Sequence, residues 1–475
     1  MSHDYLAYVA AILGALACFP LLLGGKRAIL SGLGLLAAAE AWMAFELVPM
    51  NDLKLLVTSP LRAAALVGGV LVVTGIAFLL NRYPGIAPVL LLLAAPFRIG
   101  VSLGSQHANL LLPLYAVLAA AALTFIWRLS HNWPVRRIDR SLAVPSAALI
   151  CLYSLSLLWA QDVRAGSVEL AAFLFPFLVL VAVVVNEPRQ KWLPRALAVV
   201  LIGEAVAFAA FGLWEEVTGH VYFSRHLEVS NIYTTFFRTN SFFYDPNIYG
   251  RHLVLALGVL VVLMWQRRSL LALSAALIAF IWAGLYYSYS QSSLLALFVV
   301  VVGITVAVAG RRTRRVVTIC AVASALAGTG LLAVGVQGHS FRSLTSGRSH
   351  LASITFDVFR AHPVIGVGVG SQPRAAQDES PGNPIERYSS HTTPLTVAAE
   401  LGVVGLIAYL AWFGGAFMTL WSAWRRNATI GLSLAAVFGV LVVHSLSYSG
   451  FFEDPITWGS LALAAAWLPR GAPAE

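Results

Sequence analysis

The sequence predicts an all-α integral membrane protein, a polytopic helical bundle of about 13–15 spans. Hydrophobic residues make up 59% of its 475 residues and charged residues only 11%, and the mean hydropathy is +0.80. A water-soluble protein of this size exposes far more polar surface than such a composition provides. No stretch has the composition of a soluble domain, so we expect residues 1–475 to form a single transmembrane domain.

Apolar runs of roughly 20 residues, the length that crosses a bilayer as a helix, recur along the chain. The first run follows Met-Ser-His-Asp, which lacks the basic region of a cleavable signal peptide, so we expect it to remain as a helix. The run at 85–102 contains Pro88 and Pro96 and is either a span or a broken helix. The short run at 456–469 either spans or is re-entrant. The candidate spans are 5–24, 28–48, 61–80, 85–102, 108–128, 142–160, 168–186, 193–214, 251–266, 270–287, 291–310, 315–336, 394–420, 429–449 and 456–469.

Basic residues predict the orientation of these spans. Nineteen of the 31 Lys and Arg residues fall in alternate connections, mostly as tight clusters, and such clusters stay on the cytoplasmic side. The two long loops, 215–250 and 337–393, should then face outside. Because the net charge of +10 is distributed in this way, it reports topology and not a nucleic-acid partner. The clustered residues are Lys26, Arg27, Arg82, Arg128, Arg136, Arg137, Arg140, Arg189, Lys191, Arg195, Arg267, Arg268, Arg311, Arg312, Arg314, Arg315, Arg425, Arg426 and Arg470.

The first long loop combines many aromatic residues with an arginine and a turn signal. Amphipathic rings favour the membrane interface, so we expect this loop to lie on the membrane surface. Arg238 has two interpretations: its fork of donors binds phosphate, or its side chain simply extends to the interface. Asp245 and Asn247 flank Pro246, a pattern that first predicts a helix cap and only second a substrate contact. The aromatic residues are Tyr222, Phe223, Tyr233, Phe236, Phe237, Phe242, Phe243, Tyr244 and Tyr249.

The second long loop begins with an amphipathic run that contains Arg348. Leu351, Ile354 and Val358 recur at helical spacing, so this run predicts a short helix. The sequence Gly-Val-Gly-Val-Gly at 366–370 breaks that helix, and the polar, proline-containing stretch at 372–390 predicts a loop or lid.

The end of the second loop carries a candidate base. His391 precedes a spanning helix and should lie at the outer boundary, where a neutral imidazole can accept a proton from a hydroxyl. The alternative is that His391 only decorates a helix start. Glu400 lies some turns into the helix, and an intramembrane carboxylate indicates function by default. It could equally pair with an arginine or orient a backbone group.

Other polar residues fall on the predicted outer side. Gln291, within the run Ser288–Ser293, serves either helix packing or a hydrogen bond to a sugar. His444 lies near the predicted outer end of a span and is a candidate for lining a cavity shared with the two loops, and Arg98 is another polar residue on that side. The remaining members of this set are Arg164, Glu453 and Asp454.

Several signatures of other chemistries are absent from the sequence. It has no glycine-rich phosphate loop followed by Lys, no Asp-x-Asp pair and no His-Glu-x-x-His motif. Cys18, Cys151 and Cys320 are far apart and form neither metal spacing nor a disulfide framework. We therefore expect no metal and no cofactor, and we expect arginines to neutralise any phosphate charge.

The two loops resemble those of the bacterial O-antigen ligase and O-antigen polymerase superfamily, membrane glycosyltransferases of a GT-C type fold. Members carry an Arg followed about ten residues later by a Gly, and elsewhere a His, ten residues, then a Gly. Here His391 and Gly402 fit the second pattern, while Arg238 and Gly250 are one residue further apart. The segments Arg348 through Gly368, Asp245–Asn247 and Ala399–Gly405 also resemble the family. Gln291 is a departure, because an Arg is frequent at that position.

The resemblance implies a reaction at the outer leaflet of the bacterial inner membrane. The donor would be a glycan linked to undecaprenyl pyrophosphate, and the acceptor a glycan or lipid hydroxyl. Arg238 and Arg348 would hold the pyrophosphate, and His391 would activate the acceptor. Asp245, Asn247, Gln291, Glu400, His444 and Arg98 would contribute to substrate binding. Transfer would invert the anomeric centre without a metal, under a lid formed by the second loop.

Two alternatives remain open at this point. The acceptor distinguishes a polymerase from a ligase, and the sequence does not separate them. A flippase or other polysaccharide transporter would also have many helices and scattered arginines. A transporter places polar residues along a path through the bilayer, whereas here the polar residues concentrate in two outer loops.

Overall fold

The computed structural model describes residues 5–48, 58–103, 106–338, 347–382 and 384–467, and it is a bundle of α-helices. Within these residues, twelve helices are long and apolar enough to cross a membrane, against the 13–15 expected. The helices are α1 Tyr5–Leu23, α2 Lys26–Leu47, α3 Pro60–Arg82, α4 Ala87–Ala94, α5 Leu112–Ser130, α6 Arg140–Ser156, α7 Val163–Glu169, α8 Phe175–Asn186, α9 Leu193–Thr218, α10 Arg225–Ile232, α11 Pro246–Gln266, α12 Leu271–Ser288, α13 Gln291–Val308, α14 Arg311–Gly338, α15 Arg348–Ala361, α16 Gln372–Glu379, α17 Thr393–Arg426, α18 Ala428–Ser445 and α19 Pro455–Ala466. Three short 3-10 turns, at Leu157–Trp159, Arg268–Leu270 and Ile385–Tyr388, and a π-helical turn at Leu170–Leu174 complete the helical structure of the described residues.

Three of the fifteen candidate spans are not among these twelve helices, and one of them, the run at 315–336, lies in α14. The run at 85–102 is the eight-residue helix α4, which ends at Ala94 because Pro96 cannot continue it. An antiparallel hairpin of β1 Ile99–Leu103 and β2 Gln106–Leu110 follows, with Ile99 opposite Leu110, and the sequence analysis did not predict it. The run at 456–469 is α19, which has 12 residues.

Both long loops contain short helices, as expected for loops that pack on a membrane face. Helix α10 lies in the first loop, and Asp245 ends that loop by capping α11. Helix α15 is the predicted amphipathic helix, with Ile354 and Val358 buried on one face. Part of the second loop, 339–346, lies outside the described residues.

Helix α11 occupies the centre of the bundle, and nearly all of its length from Pro246 to Val262 is buried. Its one buried arginine, Arg251, forms an ion pair of 2.7 Å with Asp454, which caps α19. Because both charges are buried and paired, the contact fixes α19 against the N-terminal part of α11.

Helix α17 is interrupted at Gly402, and the second loop is attached at this break. Gly402 has φ 64° and ψ −159°, a conformation that only glycine adopts readily. The released backbone pairs with the loop: Val367 N–H donates to Ala399 C=O at 2.9 Å, and Val403 N–H donates to Pro363 C=O at 2.8 Å. A side chain at Gly402 would lie 2.2 Å from the Val364 carbonyl oxygen.

We predict that Gly402→Ala lowers the free energy of unfolding by at least about 1–3 kcal/mol, because it adds backbone strain and a steric clash. Gly414→Ala is the matched control in the same helix, where a Cβ would meet nothing within 4 Å. Thermal unfolding of both purified variants in detergent measures the difference. Equal stability of the two variants would contradict this account of the break.

Candidate active site

Arg238 is held by the C-terminal end of helix α12. Its Nε donates a hydrogen bond to the Ser288 carbonyl oxygen at 3.2 Å, and the next residue, Thr239, donates its N–H to the Tyr287 carbonyl at 3.1 Å. Within the described residues, the terminal nitrogens of Arg238 have no hydrogen-bond acceptor. The guanidinium is therefore oriented through one nitrogen while the other two remain available to a ligand.

His391 lies immediately before α17 and faces the last interhelical loop. Its ring centroid is 6.3 Å from that of Tyr448. The Tyr448 hydroxyl donates to Asp245 Oδ2 at 3.3 Å, so the three side chains form a chain from one long loop to the other. Tyr448 was missed in the sequence analysis, and no local pattern distinguishes it.

The charged residues of the two long loops influence one another. Burial lowers the pKa of the Arg238 guanidinium; the carboxylate of Asp245 raises it, and the charge of Arg348 lowers it further. Burial also lowers the pKa of His391 below its ordinary value, and Arg348 adds to this effect while Asp245 opposes it. Arg348 thus lies within electrostatic range of both Arg238 and His391, the other two residues that the sequence analysis predicted as catalytic.

Among the described residues, no ion pair neutralises the arginines of this cluster. In the described part of the chain, neither Arg238 nor Arg348 forms an ion pair with a carboxylate. Elsewhere in the bundle, buried arginines are paired, as Arg128 is with Glu187 at 2.7 Å. Partly buried arginines without a carboxylate are suited to an anionic ligand.

The predicted substrate residues Asp245, Asn247 and His444 belong to a polar network behind the cluster. Asp245 caps α11 by accepting from Asn247 N–H at 2.6 Å. Ser290 donates to Asn247 Oδ1 at 2.9 Å, and Ser292 lies 3.2 Å from His444 Nε2. Ser290 and Ser292, and not the exposed Gln291, connect helix α13 to this network.

Glu400 and Arg98 are placed differently from the expectation. Glu400 is buried at 2% exposure, and its carboxyl group faces the backbone N–H groups of Gly370 and Gln372. This contact fits the alternative interpretation of Glu400, in which its carboxyl group orients a backbone segment. Arg98 donates to the Glu453 carbonyl oxygen at 3.1 Å and lies 4.0 Å from the Glu453 carboxylate.

A second residue that the sequence analysis missed organises the first loop. Glu215, near the C-terminal end of α9, is fully buried. Its Oε2 accepts from Asn240 N–H at 3.0 Å and from Ser241 N–H at 2.8 Å, and its Oε1 accepts from Tyr222 N–H at 3.4 Å. One carboxylate thus fastens both ends of the loop that carries Arg238. In the sequence, the signal for this role of Glu215 is a carboxylate near the end of a helix.

Aromatic residues of the first loop complete its attachment to helix α9. The Phe242 ring stacks on Phe211 with centroids 4.3 Å apart, and Phe243 meets Phe208 edge-on at 5.0 Å. Phe243 is buried while Phe242 remains partly exposed. The expected aromatic surface segment is therefore anchored on one side by the bundle.

Comparison with known families gives a match over the part of the chain that contains Arg348 and His391. A sequence model of the family described as O-antigen ligase matches residues 252–410. The chain carries an O-antigen ligase domain. Over these residues the match confirms the resemblance found in the sequence analysis, and it indicates a glycosyltransferase-type enzyme. Twelve apolar helices fit a multi-pass membrane protein. A search among curated proteins gave no match.

We predict that Glu215→Leu releases the first loop, because three backbone N–H groups lose their common acceptor. Hydrogen exchange at residues 222–241 should accelerate by about tenfold or more, and activity should fall. Glu216→Leu is the control, since this neighbouring carboxylate makes no hydrogen bond to the loop within the described residues. Unchanged exchange in Glu215→Leu would show that the aromatic contacts alone hold the loop.

Proposed function

We propose that this O-antigen ligase-type enzyme transfers a glycan from an undecaprenyl-pyrophosphate-linked donor to an acceptor hydroxyl at the outer leaflet. In this proposal the anomeric centre is inverted and no metal takes part. The observation that carries the proposal is the convergence of Arg238, Arg348 and His391 from two loops that are distant in sequence. An anion site and a proton acceptor side by side are what glycosyl transfer from a pyrophosphate requires.

Arg238 and Arg348 would bind the pyrophosphate of the donor. As the glycosidic bond breaks, the electron pair moves to the pyrophosphate oxygen, and the two guanidinium groups stabilise the charge that develops there. Arg238 is oriented for this role by its Nε contact to Ser288. Because two fixed cations offset the phosphate charge, the protein itself can do the work that a divalent cation does in other transferases.

His391 would accept the proton of the acceptor hydroxyl while its oxygen forms the new bond to the anomeric carbon. The acceptor would approach from the side opposite the pyrophosphate, so the configuration inverts. Burial and the charge of Arg348 lower the pKa of His391, which keeps the imidazole neutral and ready to accept a proton. Asp245 and Tyr448 lie beside this ring and would help to orient it.

An apolar cavity suits the lipid tail of such a donor. It has a volume of about 170 Å³ and is lined by apolar side chains of several helices, including Leu91, Leu180, Leu201, Val259 and Leu463. Val259 lies about 20 Å along α11 from the end that carries Asp245. A long polyprenyl chain that entered this cavity would keep its pyrophosphate near Arg238.

Orientation and acceptor are part of the proposal. The clustered basic residues support an orientation in which the opposite face, with both long loops, lies on the periplasmic or outer side. The acceptor is a second lipid-linked glycan in a polymerase and a lipid or other anchor in a ligase. The transporter alternative leaves Arg238 and His391 without a chemical role, and the family match to an enzyme does not favour it.

We predict that purified protein transfers glycan from an undecaprenyl-pyrophosphate-linked oligosaccharide in the presence of a metal chelator. His391→Ala should lower the rate by about 10²–10⁴-fold, and Arg238→Ala by about 10²–10³-fold. His350→Ala and Arg225→Ala are matched controls, because both residues are exposed on the same two loops. A ladder of products would indicate a polymerase, and a single addition to a lipid acceptor a ligase.

Two outcomes of this assay would overturn the proposal. Full activity in both His391→Ala and Arg238→Ala would remove the assigned roles. Donor movement across a liposome bilayer without any transfer would favour the transporter.

We predict that kcat/KM falls on the acid side with a midpoint below the ordinary histidine value of 6.5. Protonated His391 cannot accept a proton, and its lowered pKa extends the active form to lower pH. Arg348→Gln removes a positive neighbour, so its acid limb should move up toward 6.5. The pH profiles of residual activity in the two proteins test this, and a limb that stays in place would show that Arg348 does not act on His391.

A further inference from the structure

The side-chain amide of Asn231 forms two hydrogen bonds with the backbone of Arg238. Asn231, at the end of α10, accepts a hydrogen bond from Arg238 N–H through Oδ1 at 3.1 Å and donates from Nδ2 to the Arg238 carbonyl at 3.0 Å. Both polar groups of one residue's backbone are thus held by one side chain. Such a paired contact fixes the rotation of the residue as well as its position.

The side-chain amide of Gln372 forms hydrogen bonds with the segment that precedes His391. Gln372, the first residue of α16, is almost completely buried. Its Oε1 accepts from Ser390 N–H at 3.0 Å, and its Nε2 donates to the Tyr388 carbonyl at 3.0 Å and to Thr355 Oγ1 at 3.1 Å. The amide therefore joins α15, the 3-10 turn Ile385–Tyr388 and the residue before His391.

The next turn of backbone extends this fixation to His391 itself. Ser390, whose N–H is held by Gln372, accepts from Thr392 N–H through its own hydroxyl at 3.2 Å. His391 is thereby held from both sides along the chain. The side-chain amide of Asn or Gln presents an acceptor oxygen and a donor nitrogen on one planar group, and both contacts use the two together.

We propose that Asn231 and Gln372 are positioning residues for glycan transfer, Asn231 for the pyrophosphate-binding Arg238 and Gln372 for the proton acceptor His391. This inference rests on the proposed function and extends it. Neither residue touches the reacting atoms. Each converts an irregular loop into a fixed support, and loops without such support lose catalytic geometry by fractions of an ångström.

The two amides should affect different kinetic quantities. Loss of the Asn231 contact moves a guanidinium, which weakens binding of the donor's pyrophosphate. Loss of the Gln372 contact moves the base, which slows the chemical step and leaves pyrophosphate binding unchanged. A merely structural role would lower stability and all kinetic constants together.

The test compares Asn231→Leu, Gln372→Met and the matched control Asn186→Leu in the transfer assay. Asn186 also uses its amide on backbone groups, accepting from Arg136 N–H at 2.8 Å and donating to the Ala182 carbonyl at 2.8 Å. It lies at the far end of α8, among the clustered basic residues on the opposite face. The readouts are kcat, the donor KM, inhibition by inorganic pyrophosphate and thermal stability.

We expect Asn231→Leu to weaken pyrophosphate inhibition by about tenfold or more, and Gln372→Met to lower kcat by about tenfold to a hundredfold with inhibition unchanged. Asn186→Leu should keep wild-type kinetics. If Gln372→Met does not fold, Gln372→Glu keeps the acceptor oxygen and should show a smaller fall in kcat.

Wild-type kinetics in both site variants, or equal losses in all three variants, would overturn this inference and leave the proposed function intact. A wild-type protein that transfers no glycan would instead overturn the proposed function, and the inference with it.

Discussion

The structure depends on how the backbone hydrogen-bonding groups at the break in helix α17 find partners. Backbone N–H and C=O groups released from a helix inside a bilayer must find partners within the protein. Here the backbone around the break at Gly402 forms hydrogen bonds with the backbone of the segment 363–368, so each segment supplies the donors and acceptors that the other needs. The second long loop is attached at this crossing, and through it His391 keeps a fixed relation to the bundle.

The charges of the two long loops determine which kind of substrate the site can bind. Buried arginines are costly, and most proteins pair them with carboxylates. This chain does so at Arg128 and Arg251, yet not at Arg238 and Arg348 within the described residues. Two partly buried arginines without a carboxylate partner in the described part of the chain therefore lie in the two long loops. A substrate that brings two phosphates would complete the charge balance that the protein leaves open.

Much of the architecture could be predicted from sequence because hydropathy is a local property. Apolar runs identified the spans, and the amphipathic period of Ile354 and Val358 identified α15. The same local measure failed at 85–102, where average hydropathy hides the helix end before Pro96 and the hairpin beyond it. Residue types at loop ends also indicated Arg238, Arg348 and His391.

The supporting contacts could not be predicted in this way. Tyr448 and Asp245 are 203 residues apart in the chain, and Glu215 is 26 residues from Ser241. Hydrogen bonds of this range depend on the packing of whole helices, which no window of sequence contains. For Glu400 and Gln291 the sequence analysis left two roles open for the same reason, because the sequence gives the residue type and a predicted side of the membrane and not the direction of the side chain.

Direct binding of inorganic pyrophosphate to the purified protein tests the central claim, that two loops form one anion site. Wild type would be compared with Arg238→Gln, Arg348→Gln, the double variant and His391→Ala. The account predicts that each arginine variant weakens binding by about tenfold or more, that the double variant loses less than the two effects combined, and that His391→Ala still binds. Undiminished binding in both single arginine variants would contradict it.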